Sequence, residues 1–286
     1  MLDDVLRLMR PRDWVKQVFV LMPVPFALAA GATLEPFTLA RGVLAFCLAS
    51  SAVYTYGDAL DAERDRRHPD KCTRPIAAGR VGASQARLLA LLMLALALLL
   101  GLATRSSVAV LLIALYALLN LLYGHFGKHV PLVDVFLLSS GYLIRVFLGC
   151  ALMGVDPSNW LLLCSSTLAL FLALTKRRAD LLTADTSQHP SLSGYTTSFL
   201  DQAMGITAGI AWLAYALYCL EAGVFLVGRE FTSLPFVAFG ILDYLRLAHT
   251  RNLGGSPVAV VTTEPSIPIC GVGWSLAVGW SLGFAF

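Results

Sequence analysis

The chain has 286 residues, of which 57% are apolar and only 14% are charged, and its mean hydropathy is +0.73. Soluble domains carry about 25% charged residues, so this composition excludes an ordinary soluble protein. The net charge of +3 is small, and no nucleic-acid partner is expected. The sequence therefore predicts an all-α, polytopic membrane protein.

Apolar stretches long enough to cross a bilayer recur along the whole chain. A hydrocarbon core about 30 Å thick requires roughly 17 to 25 residues of helix. The candidate spans are residues 15–33, 40–58, 85–104, 106–123, 131–152, 158–175, 202–223, 231–247 and 266–286. The opening segment is polar and amphipathic, so we expect no cleavable signal peptide. No linker or charge tract divides the chain, and we interpret residues 1–286 as one domain.

The distribution of Lys and Arg predicts the orientation of these nine spans, because cytoplasmic loops retain positive charge. Of the 21 Lys and Arg residues, only Arg41, Arg105 and Arg229 fall in loops on the opposite side, and Arg145 lies inside a span. The N-terminus and the polar loops are therefore expected in the cytoplasm, and the C-terminus outside.

A dense block of charged residues follows the second span, at residues 57–79, GDALDAERDRRHPDKCTRPIAAG. On a helix, Asp58, Asp61 and Asp65 project from one face, because they are spaced by three and then four residues. Mg²⁺ bound by a few carboxylates keeps other positions for water and phosphate. The stripe thus predicts a metal and phosphate site, and the alternative is a solvated loop whose charges neutralise one another.

A second cluster enters the fifth span. Asp134 and Arg145 are eleven residues apart, so they share a helical face and are separated by about 16 Å along the axis. An arginine this far into a span needs an anion, which is either a ligand or an internal ion-pair partner. Gly141 and Gly149 flatten the same face and would let a helix or ligand approach closely.

A third cluster, TKRRADLLTAD, leaves the sixth span. Lys176, Arg177 and Arg178 are either stop-transfer charges or functional cations, and Asp180 is close enough in sequence to pair with the first two on a helix. The functional interpretation gains weight only in combination with the acidic first loop.

These clusters resemble the UbiA superfamily of intramembrane transferases, most of which have nine spans and two acidic cytoplasmic motifs, NDxxDxxxD and DxxxD. The first motif reads GDALDAERD here, with Gly57 in place of the usual Asn. Within the superfamily, the chain is more similar to the decaprenyl-phosphate phosphoribosyltransferase group. The matching segments are RPRDWVKQ (10–17), DAERDRRHPDKCTRPIAAG (61–79), YGHFGKHVPLVDV (123–135), GYLIR (141–145), LTKRRADL (174–181) and LPFVAFGIL (234–242).

The resemblance implies a bacterial cell-membrane enzyme with a UbiA-like bundle and a cytoplasmic active-site cleft. It would transfer 5-phosphoribose from phosphoribosyl pyrophosphate to a polyprenyl phosphate and release pyrophosphate, as an early step toward a lipid-linked pentose donor for glycans such as cell-wall arabinan. Mg²⁺ is the implied cofactor, with Asp58, Asp61 and Asp65 as catalytic metal ligands. The implied substrate contacts are Lys16, Arg66, Lys71, Arg74, Tyr123, Lys128, Asp134, Arg145, Lys176, Arg177, Asp180 and Tyr195.

Two other functions remain open at this point. An aromatic prenyltransferase using a prenyl diphosphate resembles this chain less, because its second loop would carry metal-bridging acids where this chain has Lys176, Arg177 and one matching acid, Asp180. A transporter or inactive scaffold would also carry charges within the membrane. Charges confined to one face of the membrane argue against a transport path.

Overall fold

A computed structural model describes residues 2–67, 71–183 and 190–284; His68, Pro69 and Asp70 of the first loop and residues 184–189 of the third lie outside the described residues. Within those ranges all regular structure is helical, which confirms the all-α prediction. The α-helices are α1 Leu2–Met9, α2 Val18–Leu21, α3 Val24–Ala29, α4 Pro36–Leu60, α5 Ala62–Asp65, α6 Ala83–Leu102, α7 Ser107–His125, α8 Val133–Met153, α9 Asn159–Leu182, α10 Thr197–Glu221, α11 Leu234–Thr250, α12 Pro257–Thr263 and α13 Ser266–Ser281.

Among the described residues, six helices are long and apolar enough to cross a membrane: α4, α6, α7, α8, α9 and α10. They coincide with the second to seventh predicted spans and confirm an integral membrane protein. The first predicted span falls on the short helices α2 and α3, and the eighth and ninth fall on α11 and α13, of 17 and 16 residues. The count of nine spans therefore stays a prediction.

Helix α8 is the most enclosed of the six. Of the residues in its apolar stretch 56% are buried, compared with 28% for α6 and α7, and α8 packs against α4, α7 and α9. Helix α6 instead leaves leucines such as Leu91 and Leu99 more than half exposed. In a bilayer such side chains contact lipid, whose tails are as apolar as leucine. Helices α6 and α7 therefore lie at the periphery of the bundle.

Small residues let a neighbouring segment reach the backbone of α8. A Cβ atom at Gly149 would collide with the carbonyl oxygen of Val20 in α2, and one at Gly141 would lie 3.4 Å from the ring of Tyr116 in α7. This confirms the expected close approach along the glycine face. The short helix α2 packs against α8 because Gly149 has no side chain.

The N-terminal segment is tied to the end of α4 that carries the acidic motif. Ser51 donates a hydrogen bond of 2.7 Å to the carbonyl of Met9, and Thr55 donates one of 3.2 Å to the carbonyl of Leu8. The chain then forms a 3₁₀ helix at Pro11–Gln17. These bonds place the charged side chains of the first seventeen residues beside the first acidic motif.

We expect Gly149→Ala to destabilise the protein, because the added methyl group meets the rigid Val20 carbonyl; overpacking of this kind costs about 1–3 kcal/mol. Thermal unfolding of the detergent-purified protein measures the effect as a lower Tm. Gly205→Ala is the matched control, because Gly205 is a helical glycine of α10 with no neighbour near its added Cβ. Equal Tm values for the two variants would contradict the close packing of α2 on α8.

Candidate active site

A cavity of about 500 Å³ opens at the end of the bundle where α4, α7 and α9 terminate and the N-terminal segment crosses them. This volume is in the usual range for small-molecule sites. We call it the polar cavity. Its charged lining residues are Arg10, Asp13, Lys16, Asp58, Asp61, Arg64, Asp65, Lys71, Arg74, Lys128, Arg145, Lys176 and Asp180. Eight basic groups against five acidic ones make this described lining net positive, which favours a polyanionic ligand.

The three aspartates of the first motif all line the polar cavity, but they do not lie on one uninterrupted helix. Helix α4 ends at Leu60, Asp61 leaves helical geometry with φ −94° and ψ 4°, and the single turn α5 carries Asp65. The backbone N–H of Asp65 still donates to the carbonyl of Asp61 at 2.9 Å. The break therefore interrupts the predicted helical row of aspartates without separating their carboxylates from the cavity.

Cations bridge two of these aspartates. Arg74 Nη1 lies 3.0 Å from Asp58 Oδ1 and 2.8 Å from Asp65 Oδ2, and Arg10 Nη2 lies 2.6 Å from Asp58 Oδ1. Asp58 and Asp65 are 6% and 2% exposed, so this pairing offsets the cost of burying their charge. The first loop and the N-terminal segment are thereby joined through charge-assisted hydrogen bonds.

The third aspartate is paired from a different helix end. Lys128, in the 3₁₀ turn Gly127–His129 after α7, donates a bond of 2.7 Å to Asp61 Oδ1 although the lysine is only 3% exposed. Arg64 lies 3.6 Å from the same oxygen. The polar turn after α7 and the acidic loop after α4 therefore form one wall of the cavity.

Deeper in the bundle, Arg145 lines the cavity with neutral groups around it. Its guanidinium donates to Gln17 Oε1 at 3.0 Å, to Ser50 Oγ at 3.2 Å and to the carbonyl of Gly141 at 2.6 Å. The rings of Phe46 and Tyr116 lie 4.9 and 5.1 Å from its Cζ. No carboxylate is among its partners in the described part of the chain, so the internal ion pair is not found there. Its positive charge is available to an anion in the cavity.

The third cluster divides between the cavity and the interior. Lys176 and Asp180 line the cavity, whereas Arg177 is fully buried beside it. Arg177 donates 2.6 Å bonds to Asp180 Oδ2 and Tyr123 OH, and its Nε lies 2.7 Å from Asp134 Oδ2 as an ion pair without hydrogen-bond alignment. Tyr195 OH donates to Asp134 at 2.6 Å. Arg177 thus holds two cavity-lining side chains, Tyr123 and Asp180, in place.

The structure brings most of the predicted site residues to one place. The polar cavity is lined by Lys16, Asp58, Asp61, Asp65, Lys71, Arg74, Tyr123, Lys128, Arg145, Lys176 and Asp180. Four predicted residues lie outside its lining: Asp134, Arg177 and Tyr195, in the buried network, and Arg66, whose Nε donates to the carbonyl of Ala77 at 3.2 Å. The roles of all fifteen stay predictions.

Sequence reasoning missed several lining residues, among them Arg10, Tyr54 and Tyr142. Arg10 belongs to the segment RPRDWVKQ. A cation near the N-terminus is also explained as a signal for membrane orientation, so the sequence alone does not mark Arg10 as a site residue. Tyr54 precedes Asp58 by four residues and Tyr142 precedes Arg145 by three. The same helical-face test that joined the aspartates would have found both tyrosines.

The donor set of the polar cavity suits a hard divalent cation. The described residues include no ready-made group of three metal-ligating side chains, and the aspartates pair with Arg10, Arg74 and Lys128. Mg²⁺ commonly needs only one or two carboxylates when substrate phosphates complete its coordination. Burial raises the pKa of Asp65 while Arg74 opposes the shift, so further positive charge near this carboxylate would stabilise its ionised form. Asp58, Asp61 and Asp65 thus fit Mg²⁺ by chemistry.

Comparisons with known proteins identify the relatives of this chain. The UbiA prenyltransferase family model matches residues 18–256. A decaprenyl-phosphate phosphoribosyltransferase from Corynebacterium glutamicum is 32% identical over 287 residues, covering 96% of this chain and 86% of the relative. Another from Mycolicibacterium smegmatis is 33% identical over 306 residues, covering 100% of this chain and 94% of the relative.

A solved structure has the same fold. The UbiA homolog from Archaeoglobus fulgidus, determined bound to GPP and Mg²⁺, superimposes with a TM-score of 0.75, covering 98% of this chain and 99% of that chain. The sequences are only 18% identical, so the likeness concerns the fold alone. The family model matches most of the chain and confirms the predicted family: this integral membrane protein belongs to the UbiA prenyltransferase family.

Proposed function

We propose that this protein transfers the 5-phosphoribosyl group of phosphoribosyl pyrophosphate to a polyprenyl phosphate of the decaprenyl type and releases pyrophosphate. The relatives from C. glutamicum and M. smegmatis carry the name of this activity and match nearly the whole chain. The carrying observation is the division of the net-positive cavity into a rim of paired carboxylates and a deeper cationic part. Donor and acceptor together bring three phosphate-bearing groups, which suits such a cavity.

The reaction forms a bond between an oxygen of the lipid phosphate and the anomeric carbon of the ribose. The bond from that carbon to the pyrophosphate oxygen breaks, and its electron pair leaves with the pyrophosphate. The acceptor is already ionised, so no general base is required. The protein therefore contributes chiefly positioning and stabilisation of charge on the leaving group.

In this proposal Asp58, Asp61 and Asp65 would hold Mg²⁺, and the metal would supply Lewis-acid stabilisation of the leaving oxygens. Arg10, Arg74 and Lys128 contact the pyrophosphate, because a cation that donates to a carboxylate can donate equally to a phosphate oxygen. Lys71 joins them at the rim. The transferase is accordingly an Mg²⁺-dependent pentosyltransferase.

The deeper part of the cavity would bind the remaining phosphates. Lys16, Arg145 and Lys176 line it, and the partners of Arg145 there are neutral. Lys16 donates to Asp13 Oδ1 at 2.6 Å and to the Tyr54 hydroxyl at 3.4 Å, and Tyr54 lies one turn of α4 before Asp58. Asp134, Arg177 and Tyr195 act as positioning residues, because their contacts fix Tyr123 and Asp180 without reaching the cavity themselves.

We further propose that residues 1–286 act as one domain with the N-terminus and the polar cavity on the cytoplasmic side. The lining of the cavity runs from Arg10 to Pro257, so most of the chain contributes to one site. The Lys- and Arg-rich loops lie at the end of the bundle that carries the cavity. The positive-inside rule therefore favours a cytoplasmic location for that end. Phosphoribosyl pyrophosphate, a soluble metabolite, is available on that side.

The direct test incubates purified protein with radiolabelled phosphoribosyl pyrophosphate, Mg²⁺ and decaprenyl phosphate. We expect labelled lipid and an equal amount of released pyrophosphate, separated by solvent extraction. Labelled geranylgeranyl diphosphate with an aromatic acceptor serves as the comparison reaction. Transfer only in the comparison reaction, or in neither, would overturn the proposal.

We expect Asp58→Asn to lower kcat by about 100-fold or more. The change keeps the shape of the side chain but removes the negative charge with which Asp58 would hold Mg²⁺ at the leaving pyrophosphate. The assay above measures kcat, and Tm shows whether the variant is folded. Asp201→Asn is the matched control, since Asp201 pairs with Arg178 at 2.5 Å outside the polar cavity. A folded Asp58→Asn protein with wild-type turnover would refute the assignment.

We expect EDTA to abolish transfer and added Mg²⁺ to restore it, because oxygen donors at the rim suit this metal. Titration of Mg²⁺ against activity should require more metal in Asp65→Asn than in the wild type. Full activity in EDTA would contradict the proposed Mg²⁺ dependence, but it would not contradict the proposed transfer of phosphoribose.

A further inference from the structure

The turn between α7 and α8, residues 126–132, has a strained backbone position immediately before α8 begins. Leu132 has φ 67° and ψ −45°, a conformation that glycine adopts readily but that a residue with a side chain adopts only at a cost. Packing of its own side chain does not offset that cost, because the side chain is 48% exposed. Other contacts therefore hold Leu132 in this conformation.

The hydroxyl of Tyr195 makes one of these contacts. It accepts a hydrogen bond of 2.5 Å from the backbone N–H of Leu132 and donates one of 2.6 Å to Asp134 Oδ1. Ser191 donates to the other oxygen of this carboxylate, Oδ2, at 2.8 Å. Residues 190–195, which we call the docking segment, are thereby bonded to the beginning of α8.

A missing side chain lets the docking segment lie directly on the turn. A Cβ atom at Gly194 would lie only 2.4 Å from Cγ of Pro131, the residue before Leu132. Pro131 in turn restricts Val130 to an extended conformation, observed at φ −116° and ψ 119°. The backbone that connects Leu132 with the 3₁₀ turn Gly127–His129 therefore has little freedom.

The other part of this turn carries Lys128, which lines the polar cavity. The lysine is buried, and its ammonium group donates to Asp61 Oδ1 at 2.7 Å. A lysine side chain is a flexible four-carbon stem, so its ammonium group stays at one point only when the backbone beneath it is fixed. The turn, held at Leu132, supplies that fixed backbone.

We propose that Tyr195 is a positioning residue for Lys128. Its hydroxyl holds Leu132 in the strained conformation, and the turn fixed in this way places the Lys128 ammonium group in the polar cavity. This inference rests on the proposed function, in which Lys128 contacts the pyrophosphate of the donor. The docking segment thereby influences donor affinity without reaching the cavity.

This role affects one kinetic constant selectively. Displacement of the Lys128 ammonium group weakens binding of the donor, so it raises the KM for phosphoribosyl pyrophosphate and leaves the KM for decaprenyl phosphate unchanged. A loss of folded protein would instead lower the apparent kcat and change neither KM, because the remaining folded enzyme is normal. Kinetics therefore separate the positioning role from a merely structural one.

The test removes the hydroxyl alone with Tyr195→Phe. We expect the KM for phosphoribosyl pyrophosphate to rise about fivefold, the effect of losing about one hydrogen bond. In Lys128→Met, Tyr195→Phe should cause no further rise, because two residues that act through the same ammonium group are not additive. A wild-type donor KM in Tyr195→Phe, or an equal further rise in Lys128→Met, would overturn the inference.

A second substitution tests the strain itself. Leu132→Gly removes the cost of the positive φ, so in Tyr195→Phe it should restore most of the donor affinity, measured against Leu132→Gly alone. Arg105→Gly is the matched control, because Arg105 also has a positive φ, 60°, in the turn between α6 and α7, and it does not line the polar cavity. Equal rescue by both glycines, or none by Leu132→Gly, would overturn the inference.

A labelling measurement does not depend on turnover. Acetylation of lysines by an N-hydroxysuccinimide ester, followed by mass spectrometry, reports the access of reagent to each ammonium group. Lys128 should react several-fold faster in Tyr195→Phe than in the wild type, while Lys16, a cavity lysine on another segment, keeps its rate. Unchanged labelling of Lys128, or an equal increase at Lys16, would overturn the inference. Faster labelling of Lys128 alone, in a protein that transfers no phosphoribose, would support the positioning role and reject the proposed function.

Discussion

The pairing of buried charge at one end of the helical bundle is the constraint on which the site depends. Arg74 contacts Asp58 and Asp65 within 3.0 Å, Arg10 contacts Asp58, and Lys128 contacts Asp61. Three carboxylates this close to one another would repel without these cations, and burial would favour their neutral form. The cations come from the N-terminal segment, the first loop and the turn after α7. Their pairing therefore draws separate parts of the chain around one cavity.

The two charged networks beside the cavity differ in access to it. Arg10, Arg74 and Lys128 line the cavity and can exchange one anionic partner for another, whereas Arg177 is fully buried between Asp134, Asp180 and Tyr123. Buried ion pairs add little net stability, because desolvation offsets most of the attraction. Their effect is to fix geometry. In the proposed reaction the network that lines the cavity meets the substrate phosphates, while the network around Arg177 keeps the wall of the cavity rigid.

The location of these charges explains why a sugar-phosphate reaction is built on membrane helices. In the proposed reaction the donor is soluble and polyanionic, while the acceptor carries its phosphate on a chain that stays in the bilayer. A net-positive cavity at the helix ends and an apolar pocket between α4, α6 and α7 adjoin at Gly57. Gly57, which departs from the usual motif, lies at the boundary between the cavity and this pocket.

By itself the sequence determined the membrane class, the helical fold, the positions of six spanning helices and the family, because these depend on apolar length and on local motifs. Eleven of the fifteen predicted site residues line one cavity, since most of the motifs sit at helix ends that point the same way. Only the tertiary structure decided which cations pair with which aspartates. It also showed that Arg177 turns inward and that Gly57 opens toward an apolar pocket. Contacts between segments tens of residues apart depend on how helices pack, and local spacing along the chain does not record that packing.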